Sequence, residues 1–262
     1  MYCSRTVGTN LAGITRLFAN PTQSFQEVSG RLVGVARCGH AVRALSSKTY
    51  DMSKEIKQDV RKAVKADLRK LSQEQMSEES GEIQKLLISS EIFKNARTVG
   101  IYVHCAKLRE VDTSRLLESV LTDPSKKCFV PLVKEEAALM HMLHIENMND
   151  LRPMTMNIME PTENYPLGAP RQEALELNEP LDLLIMPGLA FDTSCNRLGR
   201  GGGYYDCFLE KCAQKADACG AKPPILVALA YSAQMIDSVP MADNDMQVDM
   251  IVTANGVITR QK

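Results

Sequence analysis

Residues 181–219, LDLLIMPGLAFDTSCNRLGRGGGYYDCFLEKCAQKADAC, set a short apolar run, a glycine-rich loop and an amphipathic run in that order. The run Leu181–Pro187 has the composition of a parallel strand buried on both faces, and residues 204–219 carry helical periodicity. Between them, Arg197–Asp206 holds Arg197, Leu198, Gly199, Arg200, Gly201, Gly202, Gly203, Tyr204, Tyr205 and Asp206. Lacking Cβ atoms, the four glycines let backbone N–H groups approach an anion, and a helix starting near Tyr204 would point its positive end at the same place. Arg197 and Arg200 supply countercharge. Glycines alone would equally make a plain flexible turn, but strand, glycine loop and helix together form a phosphate-site context. No Gly-Lys-Ser/Thr follows, and the glycines lack the G-x-G-x-x-G spacing, so the P-loop and dinucleotide folds are disfavoured.

Outward from this stretch the chain alternates helix and strand. Ile56, Val60, Val64, Leu68 and Leu71 form an apolar stripe that predicts a helix from Ser53 to about Met76, followed by a second over Glu78–Ser90. Strands are expected at Val99–Cys105, Lys127–Val133, Leu139–Ile145 (antiparallel to its neighbour), Pro224–Tyr231 and Asp249–Ala254. A helix is expected at Thr113–Leu121, capped by Thr or Ser. Leu151–Pro170, with four prolines, reads as a long irregular connection, a length that is commonly functional. The sum is one α/β domain, a mainly parallel sheet sandwiched by helices, with ligands beyond the carboxyl ends of its strands. Both Arg197–Asp206 and Lys107–Asp112 follow such ends.

Charge divides the chain unevenly. Residues 1–50 hold five Arg and one Lys against Glu27 alone, leaving 25 basic and 31 acidic residues, a net of −6, in the remainder. Arginines scattered among Ser and Thr with almost no acid are the composition of an organelle transit peptide, so residues 1–47 are read as a mitochondrial one. Processing between Leu45 and Ser46 fits Arg43. A basic tail for nucleic acid is the competing reading, but such tails cluster Lys and lack interspersed apolar residues. No run approaches the roughly 18 apolar residues of a membrane span. Eight cysteines include no C-x-x-C, and His141 and His144 stand in a strand-like run without a cluster to complete a zinc site. Cys207 and Cys212, on the helix after the loop, read as free thiols.

Two further features bear on chemistry. Lys57, Arg61 and Lys65 each follow a stripe residue by one position and so line the border of the apolar face, where a cation can be held; a solvated basic face is the plainer alternative. Asp206, Asp243, Asp245 and Asp249 are candidates for Mg²⁺, which takes one or two carboxylates plus phosphate oxygens.

RLGRGGGYYD, preceded by MPGLAFD and followed by DNDMQVD, resembles the signature of the 5-formyltetrahydrofolate cyclo-ligase family, also called 5,10-methenyltetrahydrofolate synthetases. The likeness runs from Ser53 to Ala254. It includes KQDVR (Lys57–Arg61) as a Lys-x-x-x-Arg motif, GIYVHCAKLREVDT as a strand with a Glu-bearing loop, and MNIMEP (Met156–Pro161) as a substrate-loop segment. The resemblance implies a three-layer α/β/α domain over residues 51–262, sugar-isomerase/CoA-transferase-like. It also implies an ATP- and Mg²⁺-dependent conversion of 5-formyltetrahydrofolate to 5,10-methenyltetrahydrofolate, ADP and phosphate.

By position in the motifs, the resemblance assigns Lys57, Arg61 and the Arg197–Tyr205 loop to ATP, and Asp206 and Asp245 to magnesium. Val103, Glu110, Arg200 and Tyr204 fall to the folate, with Arg200 and Tyr204 as catalytic residues. Tyr204 and Tyr205 would line the junction of the two ligands. Two departures stand out: three additional residues before Glu110, and Gly202 where some relatives carry Lys. The expected partners are 5-formyltetrahydrofolate, in a form that includes polyglutamates, and ATP, with no nucleic acid and no membrane. The expected state is a monomer in the mitochondrial matrix. A catalytically inactive folate-binding module, or a phosphotransferase acting on another small acid, are the competing functions.

Overall fold

The computed structural model describes residues 53–134, 139–154, 158–242 and 245–261. The expected transit segment 1–47 with its expected processing site, Asp243, and Met156 with Asn157 of the MNIMEP segment lie outside the described residues. Helix α1 spans 53–68, α2 Gln73–Ser89, α3 Glu91–Asn95, α4 Ser114–Leu121 and α5 Tyr204–Cys219.

A seven-stranded sheet forms the middle layer. Its members are β1 (Thr98–Ile101), β2 (Lys127–Lys134), β3 (Leu139–Ile145), β6 (Leu183–Met186), β9 (Ile225–Leu229), β10 (Met250–Thr253) and β11 (Gly256–Thr259), in the order β11-β10-β9-β6-β1-β2-β3. The five inner strands are parallel, and β3 and β11 close the two edges antiparallel. Strand β6 is buried at every residue, and its side chains alternate between two cores. Leu183 and Ile185 join Val64, Leu68, Ile83, Leu87 and Leu116 from α1, α2 and α4; Leu184 and Met186 join Phe208, Leu209 and Cys212 from α5. This is the three-layer α/β/α arrangement, and it explains why β6 reads as a continuous apolar run.

Several boundaries differ from the sequence reading. The first expected helix breaks after Leu68, because Ser72 and Gln75 build a capping box that starts α2: Gln75 N–H donates to Ser72 Oγ at 3.2 Å and Ser72 N–H to Gln75 Oε1 at 2.8 Å. Of the expected stripe, Val64 and Leu68 are buried, but Ile56 is 50% exposed. Strand β1 ends at Ile101; Tyr102 makes a last bond to the Ile185 carbonyl at 3.3 Å, after which the chain leaves the sheet. Thr113 stands at the α4 cap position without capping it, because its hydroxyl donates instead to the Tyr102 carbonyl at 2.8 Å.

The 151–170 connection contains an antiparallel ribbon of β4 (Leu151–Pro153) and β5 (Met159–Pro161). Strand β11, unanticipated, is a short hairpin return from β10. A second ribbon, β7 (Ala190–Phe191) and β8 (Arg197–Leu198), intervenes between β6 and the glycine loop. The loop therefore descends from a hairpin rather than directly from the buried strand.

Candidate active site

One cleft of about 1070 Å³ opens beyond the carboxyl ends of β1, β2 and β6. Every residue assigned above by motif position lines it: Lys57, Arg61, Val103, Glu110, each member of Arg197–Asp206, and Asp245. Single small-molecule sites occupy roughly 300–1,000 Å³, so this cleft stands at the upper end of that range.

The glycine loop is shaped for backbone donors. Gly201 (φ 110°) and Gly203 (φ 71°) take left-handed conformations that other residues adopt only under strain. Gly203 is the cap of α5 and no side chain bonds to the first turn, leaving helix N–H groups directed at the cleft. The Tyr204 ring lies against Gly202, where an added Cβ would stand 2.6 Å from ring carbon Cε2. A lysine at this position requires that ring to move.

Four cations anchor the walls. Arg61 Nε donates to the Gly199 carbonyl at 2.9 Å, tying α1 to the loop. Lys57 pairs with Asp245, whose Oδ2 also accepts the Ala242 amide at 2.6 Å. Arg197 lies deepest, with its side chain 4% exposed; it donates to Asp206 Oδ1 at 2.8 Å and to the Pro187 carbonyl at 3.3 Å. Its Nε is buried without a hydrogen-bond partner, and its guanidinium sits 5.9 Å from the centre of the Tyr205 ring. Burial, and then the Glu110 charge, push the Tyr205 hydroxyl above its ordinary value, so this tyrosine is a neutral donor. Arg200 crosses the cleft, donating to Glu110 Oε1 at 3.1 Å and to the Leu108 carbonyl at 2.6 Å. Arg200 thus stands beside the acid assigned to the folate, linking the glycine loop to the 105–112 loop.

Seven cationic side chains line the cleft against four carboxylates, a balance that suits a polyanionic ligand. The carboxylate oxygens of Asp206 and Asp245 are hard donors of the kind that Mg²⁺ takes. Among the described residues no cluster of three or more His, Cys, Asp or Glu forms a protein-only cage. Asp249, a candidate in the sequence, is placed elsewhere. It lies at the amino end of β10, where its carboxylate holds Arg260 at 2.7 Å and accepts the Leu226 amide at 3.0 Å. His141 and His144 are also apart, His141 facing Glu173 at 3.3 Å and His144 meeting the Tyr165 hydroxyl at 2.7 Å.

The cleft also uses residues the sequence reading passed over: Tyr102, Cys105, Leu108, Pro131, Val133, Met140, Met154, and Lys54 and Lys62 of α1. Pro131 and Val133 share one face of β2, and Val133 pairs with Met140 across β3, so strand alternation carried a signal. Which of the two faces looks onto the cleft depends on the layer packing.

An α/β/α domain whose glycine loop and basic helix meet beyond the carboxyl ends of a parallel sheet has the layout of a small-molecule enzyme. The 5-formyltetrahydrofolate cyclo-ligase family model matches residues 53–254, and the chain belongs to that family, a family of ligases. It is 43% identical over 182 residues to the mitochondrial 5-formyltetrahydrofolate cyclo-ligase of Arabidopsis thaliana, covering 67% of this chain and 66% of that one, so the alignment spans about two thirds of the relative. It is 32% identical over 185 residues to the Mus musculus 5-formyltetrahydrofolate cyclo-ligase, covering 70% and 85%. Among solved structures, the Aquifex aeolicus 5,10-methenyltetrahydrofolate synthetase superposes with a TM-score of 0.62 at 28% identity, covering 79% of this chain and 94% of that one.

Proposed function

We propose that this chain converts 5-formyltetrahydrofolate and ATP to 5,10-methenyltetrahydrofolate, ADP and phosphate. The observation that carries the reading is that one cleft gathers an anion-binding loop, the Lys57/Arg61 edge of α1 and the Glu110 loop. Family membership and the names of its relatives support it further.

A formamide oxygen is a poor leaving group. In the proposed reaction it attacks the γ-phosphorus of ATP, ADP departs, and the formyl carbon becomes an activated imidate-like phosphate. The folate N10 then attacks that carbon, loses its proton, and phosphate leaves with the former formyl oxygen. Both reacting partners are ligands, so the chain has to position them and stabilise charge on the phosphoryl group. Lys57, Arg61, Arg197 and the Gly199–Gly203 backbone would hold phosphates, with the α5 N-terminus behind them. Arg200 and Tyr204 would stand where phosphate meets formyl oxygen. Glu110 and Val103 would face the folate, Glu110 accepting pterin N–H groups. Asp206 and Asp245 would hold Mg²⁺ once Arg197 and Lys57 turn to phosphate. The ion would supply charge neutralisation on the phosphate oxygens.

The decisive experiment incubates the full chain with Mg-ATP and 5-formyltetrahydrofolate and follows methenyl-folate absorbance and phosphate release together. Both should rise in equal amounts. Binding with neither product would mean an inactive folate module, and phosphate release only with another acceptor would mean a phosphotransferase. We also propose residence in the mitochondrial matrix after removal of the transit segment by a cut between Leu45 and Ser46. The arginine-rich, acid-poor composition and the mitochondrial Arabidopsis relative support this, and a reporter fused to residues 1–50 tests it.

A further inference from the structure

Glu110 follows a single turn of 3₁₀ helix, Ala106–Leu108, and sits in a loop outside the sheet. Behind that loop lies a cavity of about 90 Å³, lined among others by Ser80, Arg109, Glu110, Asp112 and Tyr231. Val111 packs into the core, and hydroxyls tie the backbone around it. Tyr231, two residues past the carboxyl end of β9, donates from Oη to the Glu110 carbonyl at 3.1 Å. Ser80 of α2 stands 3.0 Å from the same Oη, and its Oγ accepts the Asp112 amide at 3.1 Å. Tyr102 adds a third tie, donating to the Val111 carbonyl at 2.8 Å.

The proton positions follow from the donor count. Tyr231 has one hydroxyl proton and gives it to Glu110, so Ser80 gives its own to Tyr231 and receives the Asp112 N–H. Each hydroxyl donates once and accepts once, a head-to-tail chain whose bonds strengthen one another. Ser80 and Tyr231 are 3% and 2% exposed, and neither lines the large cleft. Burial raises the Tyr231 hydroxyl above its ordinary value, so it stays a donor through the neutral range. On the cleft side, Glu110 Oε2 accepts the Cys105 amide at 3.0 Å and Oε1 takes Arg200.

We infer that Tyr231 and Ser80 are positioning residues, which hold the backbone of residues 110–112 so that the Glu110 carboxylate stands at the folate side of the cleft. The ligand named here rests on the cyclo-ligase reading; the clamp itself rests on the hydrogen bonds.

The test compares full-length wild type with Tyr231→Phe and Ser80→Ala, by steady-state kinetics with both substrates and by amide hydrogen exchange. Each variant should raise the KM for 5-formyltetrahydrofolate about three- to tenfold while the KM for ATP stays within about twofold. The double variant should add little to either single one, since both cut one chain. Exchange at the Asp112 amide should accelerate in both. Equal rises for the two substrates, or an unchanged folate KM despite faster exchange, overturn the positioning role. Should Tyr231→Phe fail to fold, the smaller Ser80→Ala change decides by the same measures. A wild type that makes no methenyl-folate refutes the cyclo-ligase reading, whereas unchanged exchange at Asp112 refutes the clamp whatever the activity.

Discussion

The side of the cleft built from α1 and the glycine loop is held by ions, while the Glu110 side is held from behind by neutral, buried hydroxyls. Lys57 with Asp245 and Arg197 with Asp206 are ion pairs, and on the proposed reading their members would exchange one another for phosphate oxygens and a cation. The Ser80–Tyr231–Glu110 chain carries no ion pair, and breaking it would cost buried hydrogen bonds. On the proposed reading the two sides divide the work: exchangeable pairs would meet the charged ligand, and fixed hydrogen bonds would hold the loop that reads the neutral heterocycle. Arg200, pairing with Glu110, is the bridge between the two sides.

The largest effect should come from the ionic side. Arg197→Met leaves Asp206 without its cation and should cost about 2–4 kcal/mol of stability, read as a fall in thermal midpoint. The cost stays below that of a fully buried pair because the Asp206 side chain is 34% exposed. A variant as stable as wild type would show that this couple is already loose. Next, Arg200→Ala should lower kcat/KM by about 1.5–3 kcal/mol, the worth of a charged hydrogen bond. Because Arg200 spans both sides, the loss should appear with either substrate varied; a loss confined to ATP would place it wholly on the phosphate side. Glu110→Gln should raise the folate KM about tenfold and leave ATP binding alone. The reverse result would mean that the two sides are assigned the wrong way round.

Away from the cleft, Ser72→Ala removes the α2 capping box and should cost about 1 kcal/mol without changing either KM. A final expectation is silent at neutral pH. Tyr102 and Tyr205 are raised above their ordinary value of 10.0, by burial first and then by the nearby Glu110 charge. Raised folded values mean that the stabilisation is complete below pH 10.0 and is lost as pH climbs beyond it, because the unfolded hydroxyls ionise first. Tyr102→Phe should flatten that decline in an alkaline unfolding series.

Much of this was written locally. The apolar run of β6, the stripe Val64 and Leu68 and the glycines before Tyr204 each state their environment through spacing alone, because burial on two faces, helical period and left-handed backbone leave residue-level marks. The S-x-x-Q of Ser72–Gln75 was equally present and marks where α1 gives way to α2. Asp249 and Asp245 show the opposite case. Four residues apart and chemically alike, they part company because one begins a strand at the far end of the sheet and the other closes over α1. Nothing local distinguishes them.

The layered α/β class, the glycine loop at the head of α5 and the family motifs were thus legible along the chain alone. Those depend on contacts within a few residues or on side-chain periodicity. Only the tertiary structure decided that Arg200 turns to Glu110, that Pro131, Val133 and Met140 wall the same cleft, and that Tyr231 reaches Ser80 across 151 positions of chain. A buried donor pairs with whatever acceptor the packed layers bring within 3 Å or so, and that distance is set by how helices and strands stack, not by order along the chain.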